Sequence, residues 1–205
     1  EKDGAILTVI LNRPEKRNAI NCEVMCRLYD AWSQLNDDDD LRVAIFTGRG
    51  DTFCAGMDMS ELPKLRSGKA DDEWARRVLE VPDLAWTAWL KLNRPKKPVI
   101  LAIEGHALAG GTEILQGTDI RVAGESARFG VTEVQRGLFP LAGSTVRLRR
   151  HRLKAIGARD ILSDEDIPAS RAFELGLINH VVPDGQAVAK AREIAQRIAD
   201  NGPLA

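Results

Sequence analysis

The stretch KPVILAIEGHALAGGTEILQGTDIRVA, residues 97 to 123, decides the fold. KKPVILAIEG (Lys96 to Gly105) reads as a strand with a proline entry. GGTEILQG (Gly110 to Gly117) reads as a short helix opened by glycines, and DIRVAG (Asp119 to Gly124) returns to strand. The same alternation continues on both sides. Upstream, AILTVILNRP (Ala5 to Pro14) is a strand run stopped by Asn-Arg-Pro, and VAIFTG (Val43 to Gly48) is another strand. Between them Asn21 can cap a helix whose Val24, Leu28, Trp32 and Leu35 recur at helical spacing. Residues 51–69 read as a loop and a short helix, and 71–93 as one long helix. Downstream, helical patterns cover 143–151, 154–162 and 169–175, the last ended by Gly176. LINHVV (Leu177 to Val182) is a last strand, and 185–200 is an amphipathic helix through Val188, Ala191, Ile194 and Ile198. Strands that alternate with helices argue an α/β fold with parallel strands.

Composition narrows the function class. With 29 basic and 30 acidic side chains the formal charge is −1, so nothing in the balance draws nucleic acid or an anionic membrane. No apolar run reaches the length of a membrane span. The 205 residues fit a single domain, 1–205, with a sizeable core. The chain opens on Glu1 rather than Met, with no signal-peptide pattern, and is read as trimmed at the front. Cys22, Cys26 and Cys54 form no C-x-x-C pair, which fits a reducing, cytoplasmic setting. Cys22 and Cys26 are read as packing residues on one helix face. DDDD (Asp37 to Asp40) lacks the alternating spacing of a calcium loop and reads as a solvated turn. His106, His151 and His180 have no metal spacing, so no metal site is expected.

Two loops share a design. CAGMD follows Val43–Thr47, ALAGGTE follows Val99–Glu104, and each turns on glycine and is expected to enter a short helix. Helix starts leave backbone N–H groups without partners and carry partial positive charge. Two of them facing one point would form a two-donor oxyanion hole, and glycine would keep a Cβ from blocking the approach. Ordinary turn glycines are the plainer alternative. Glu113 and Glu133 are carboxylates in apolar settings, where burial raises an acid's pKa and suits it to proton transfer near neutral pH. Separation in sequence does not say whether they meet. The serine-nucleophile elbow G-x-S-x-G and the P-loop are absent, and Cys54 lacks an identifiable base.

The chain resembles the enoyl-CoA hydratase/isomerase (crotonase) superfamily. The resemblance runs through LNRPEKRNAIN (Leu11 to Asn21), FCAGMDMSEL, the stretch quoted first, ARFGVTEVQRGLFPLAGSTVRL and AFELGLINHVVP, all in order. It implies a spiral of ββα units followed by helices, here expected to be truncated after residue 205, and assembly as a homotrimer or a hexamer built as a dimer of trimers. It implies an acyl-CoA thioester substrate, no cofactor beyond the CoA that the substrate carries, and no metal. The oxyanion donors would be the backbone N–H groups of Met57 and Gly110. Lys16, Arg17 and Ala19, with Ala55, Asp58, Met59 and Ser60, would line the CoA path, although Ser60 stands where many members carry a lysine. Trp86 and Trp89 would line the acyl channel, with core packing as the alternative. Glu113 would orient water as base and Glu133 would protonate C2, giving syn hydration of a trans-2-enoyl-CoA. An enoyl-CoA isomerase is the alternative enzyme, then a thioester hydrolase or C–C lyase. An RNA-associated, non-catalytic member is the alternative of another class, with RLRRHRLK (Arg147 to Lys154) as its only basic stripe.

Overall fold

The computed structural model describes residues 1–151 and 166–202, apart from the side chains of 149 and 151. Two sheets organise it. The larger has six strands: β1 (Lys2–Asp3), β2 (Ile6–Leu11), β3 (Val43–Gly48), β5 (Val99–Ile103), β7 (Ile120–Gly124) and β10 (His180–Val182), in that spatial order. All neighbours run parallel except β1, which pairs antiparallel with β2. The smaller sheet orders β4 (Thr52–Cys54), β6 (His106–Leu108), β8 (Arg128–Gly130) and β9 (Ile167–Pro168). Each of β3, β5 and β7 is thus followed by a strand of the second sheet. The chain then crosses back, through helices after β4 and β6, so the path is a spiral of ββα turns, as expected.

Burial on both faces explains the uniformly apolar strands. Successive side chains point to opposite faces. Ala44 and Phe46 therefore join the main core with α1 (Cys22–Asp37), while Val43 and Ile45 join a second cluster under α8 (Ala187–Ala199). Ala187, Ala191 and Ala195 recur every fourth residue and present a flat face to that sheet. Cys22 and Cys26 are buried on the core face of α1, as read. The Asn21 side chain accepts the Val24 N–H at 3.0 Å, the expected N-cap. In the main core Trp32, Phe46 and Phe53 stack edge to face, with centroids 5.4 and 5.3 Å apart.

Three expectations change. The long helix over 71–93 is two helices, α3 (Glu73–Glu80) and α4 (Leu84–Ala88). Pro82 lies between them, and Asp83 sits left-handed at φ 59. Residues 51–69 hold the strand β4 as well as α2 (Leu62–Ser67). The last strand covers only His180–Val182, because Leu177 and Ile178 donate instead to the Ala172 carbonyl at the end of α7 (Ala169–Glu174). The patterns at 143–151 and 169–175 correspond to α6 (Ser144–His151) and α7. The pattern at 154–162 lies outside the described residues. No described helix is long and apolar enough to cross a membrane.

Candidate active site

The two glycine loops meet. Gly56 has φ 97, and a Cβ built there would lie 2.9 Å from Ala109 Cβ and 3.0 Å from Gly110 N. A Cβ on Gly110 would lie 2.4 Å from the Trp89 ring. Packing of one loop on the other and on Trp89 therefore leaves no room for a Cβ at either glycine. The Met57 and Gly110 N–H groups make no hydrogen bond to any described residue. The two amides are exposed differently. α5 (Gly110–Leu115) begins at Gly110 itself. The helix expected directly after CAGMD does not start there, since α2 begins only at Leu62. Met57 instead pairs as a parallel bridge with Ile20, which donates to Gly56 O and accepts from Asp58 N. Its own N–H then points away from that strand. Ala109, before Gly110, holds φ 48 and ψ −123, a backbone region that costs a side-chain-bearing residue about 1–3 kcal/mol.

Glu113 lies on α5, three residues from Gly110, and is 3% exposed. Its carboxylate accepts the Ala142 N–H and the Ser144 N–H, each at 3.0 Å. Glu133, in the 3-10 turn Thr132–Arg136 after β8, brings its carboxyl within hydrogen-bonding reach of Glu113. Burial pushes the Glu113 pKa up, the amides of Ser144 and Ala142 oppose it, and the Ser144 hydroxyl and Glu133 oppose it further. A carboxyl raised by desolvation yet surrounded by donors can hold and release a proton near neutral pH. The segment carrying Glu113 is clamped. Thr112 Oγ1 donates to Ala107 O and accepts the Gly130 N–H at 3.1 Å, tying α5 to β6 and β8.

A family model described as enoyl-CoA hydratase/isomerase matches residues 1–205. The chain belongs to the enoyl-CoA hydratase/isomerase family. It is 46% identical to enoyl-CoA hydratase EchA19 of Mycobacterium tuberculosis, with all of this chain and 75% of that protein covered. It is 40% identical to mevalonyl-coenzyme A hydratase sidH of Aspergillus fumigatus, over 97% of this chain and 70% of that one. Among solved structures, an enoyl-CoA hydratase from Mycobacterium tuberculosis H37Rv superposes with a TM-score of 0.87 at 39% identity, covering all of this chain and 76% of its own.

Within this enoyl-CoA hydratase/isomerase chain the segment before Ile20 is tied to the segment around Met57, which brings the two stretches of expected CoA-lining residues together. Lys16 and Arg17 are exposed on a left-handed turn, and Ala55 donates to Arg17 O at 3.0 Å. Asn18, expected only as part of the segment Lys16 to Ala19 along the CoA path, is what holds the turn. It is buried at φ 54, its amide donates to the Arg49 and Thr52 carbonyls, and its Oδ1 accepts the Arg13 N–H. The signal was present in N-R-P-x-x-x-N, whose second Asn can adopt the left-handed region. Asp58 takes the Ser60 N–H and hydroxyl and pairs with Arg13 at 3.2 Å. Desolvation pushes its pKa up, but Ser60 and Arg13 prevail and hold it below the usual range. Ala19 lies beside this turn, and Met59 is exposed.

Trp89 packs against Gly110 and so borders the site, whereas Trp86 lies half-buried under Lys91, whose Nζ is 4.1 Å from the ring centre. Trp89 is also a member of the buried core, the plainer alternative for it. Burial pushes the Cys54 thiol up to about 12, and its sulfur sits against the Gly56 backbone, so it packs rather than attacks. The basic stripe is broken too. Arg147 turns inward and donates to the Leu90 and Lys91 carbonyls, which pins the segment after Trp89; residues 152–154 of the stripe lie outside the described residues. A groove of about 410 Å³ between β2 and α1 is lined by none of the candidate site residues.

Proposed function

We propose a route by which this enoyl-CoA hydratase adds water to a trans-2-enoyl-CoA thioester. The thioester carbonyl accepts from the Met57 and Gly110 N–H groups. A water sits between Glu113 and Glu133. Ionised Glu113 takes one proton from that water as its oxygen bonds to C3. The alkene electrons move through C2 and the carbonyl carbon onto oxygen, giving an enolate held by the two amides. Protonated Glu133 then delivers its proton to C2, the carbonyl re-forms and 3-hydroxyacyl-CoA results. The mutual reach of the two carboxyls lets the proton left on Glu113 return to Glu133. Both partners act from one side, so addition is syn. Each amide is worth about 2.7–4 kcal/mol of barrier, and each acid-base group ~10²–10⁴ in rate.

The observation that carries this reading is the reach of Glu133 to Glu113, which lies one helical turn from the unpartnered Gly110 amide. Lys16, Arg17, Ala19, Ala55, Asp58, Met59 and Ser60 then border the CoA path and Trp89 bounds the acyl end. The same proposal includes a single domain over 1–205, no cofactor beyond substrate CoA, a cytoplasmic location, and a homotrimer or dimer of trimers. Exposed Phe139 and Leu141, in the loop before α6, and Val146 on it support the association. The test is incubation with crotonyl-CoA and longer 2-enoyl-CoAs, read by loss of conjugated absorbance and by mass. Glu113→Gln and Glu133→Gln are each expected to slow hydration by ~10²–10⁴. Undiminished rates in either variant would overturn the route, as would turnover of 3-enoyl-CoA with 2-enoyl-CoA left untouched.

A further inference from the structure

Gln116 and Ser144 are 2% and 0% exposed, and the route above uses neither. Gln116 extends from the end of α5 and Ser144 opens α6. Gln116 Nε2 lies 3.0 Å from Thr112 O and 2.7 Å from Ser144 Oγ. A peptide carbonyl only accepts, so the contact with Thr112 fixes which end of the amide is the nitrogen. That nitrogen donates to Ser144 Oγ as well. The hydroxyl thus receives a proton from behind and must direct its own elsewhere. The Ser144 backbone N–H donates to Glu113 at 3.0 Å, which puts the hydroxyl of the same residue beside that carboxylate. Resting on the hydration route, we propose that Gln116 and Ser144 are a positioning pair for Glu113, the amide holding the hydroxyl as a dedicated donor to the carboxylate.

The chemistry follows from the direction of donation. A donor to the ionised form favours that form, and the Ser144 hydroxyl acts on Glu113 in this sense. The base is therefore ready at lower pH than burial alone allows. The two backbone donors survive any non-proline change at 142 or 144, whereas the hydroxyl does not, so a single substitution isolates it. Among the described residues the other charged groups that act on Glu113 are Glu133, from its 3-10 turn, and Arg147, from α6. Both remain in the variants below.

The experiment is the pH profile of kcat/KM for crotonyl-CoA hydration by the wild type, Ser144→Ala, Gln116→Met and the double variant, with circular dichroism as a check of folding. Ser144→Ala is expected to move the ascending limb to higher pH, a roughly tenfold loss on the limb that largely recovers on the plateau. Gln116→Met frees the hydroxyl to rotate and moves the limb the same way by less. The double variant moves it no further than Ser144→Ala, since both act through one bond. An unmoved limb in folded Ser144→Ala, or an even loss at every pH, would overturn the pair as a positioning device. If Ser144→Ala does not fold, an unmoved limb in Gln116→Met overturns it. Glu113→Gln separates the levels: residual wild-type hydration there removes the route itself, and its loss alongside an unmoved limb removes only the pair.

Discussion

The two glycine loops look alike in sequence and are built on different physics. At Gly110 the buried amide is left without a partner because a helix starts there and its first N–H has no carbonyl behind it. At Met57 no helix starts. The amide is exposed because pairing with Ile20 uses the flanking residues, and the bridge residue's own N–H points to the other side. The second loop is held by packing on Trp89 and by hydrogen bonds from the Ala109 N–H and Thr112, which carry the strained Ala109; the first is held by hydrogen bonds through Ile20 and Asn18. The proposed two-donor site would therefore not rest on two helix ends. It requires two amides whose neighbours, not they themselves, satisfy the backbone.

The sharpest way to break this comparison is Gly56→Ala. Its methyl would strike both Ala109 and the Gly110 amide, so both donors shift, and kcat is expected to fall about 10³-fold or more. Gly110→Ala strikes only the Trp89 ring and displaces one donor, with an expected loss of about 10²–10³. Steady-state kinetics of the two variants compares them directly, and equal losses would mean the loops do not move together. Asn18→Ala should leave the Gly110 side intact while it strips the buried Thr52 carbonyl and the part-buried Arg49 carbonyl of a partner. We expect about 1–3 kcal/mol of destabilisation in urea titration, with KM for the CoA thioester raised more than kcat is lowered. A change confined to kcat would show that Asn18 supports the amides rather than the CoA turn.

The smallest effect concerns pH. Glu113 has a pKa raised by burial, so folding favours its protonated form. The stability this confers is complete below the ordinary glutamate range and is lost as pH rises through the folded value. Thermal midpoints of the wild type, relative to Glu113→Gln, are expected to decline over that window. A difference that is flat or rises with pH would contradict the assignment.

Much of this was legible in the sequence. Long apolar runs such as Val43–Gly48 and Val99–Ile103 announce their strands because burial on both faces leaves no polar residue to confuse them. The second sheet was not legible, since β4, β6 and β8 are three residues each, too short to show a period. Pro82 was in plain view and still yielded to the helical pattern around it. Met57, Gly110, Glu113 and Glu133 were placed by motif order, while their meeting needed coordinates. The packing demand on the glycines was not legible, because a ring from residue 89 that fills the space beside Gly110 leaves no mark near residue 110. Ser144 and Gln116 carry no local signal at all, as their role exists only across the α5–α6 contact.

The most direct test of the central claim, that two carboxyls acting from one side of the alkene supply the two parts of water, is hydration in D₂O followed by NMR of the product. The account predicts one diastereomer, with deuterium at C2 and hydroxyl at C3 added to the same face. Anti addition, or a mixture of the two, would contradict it.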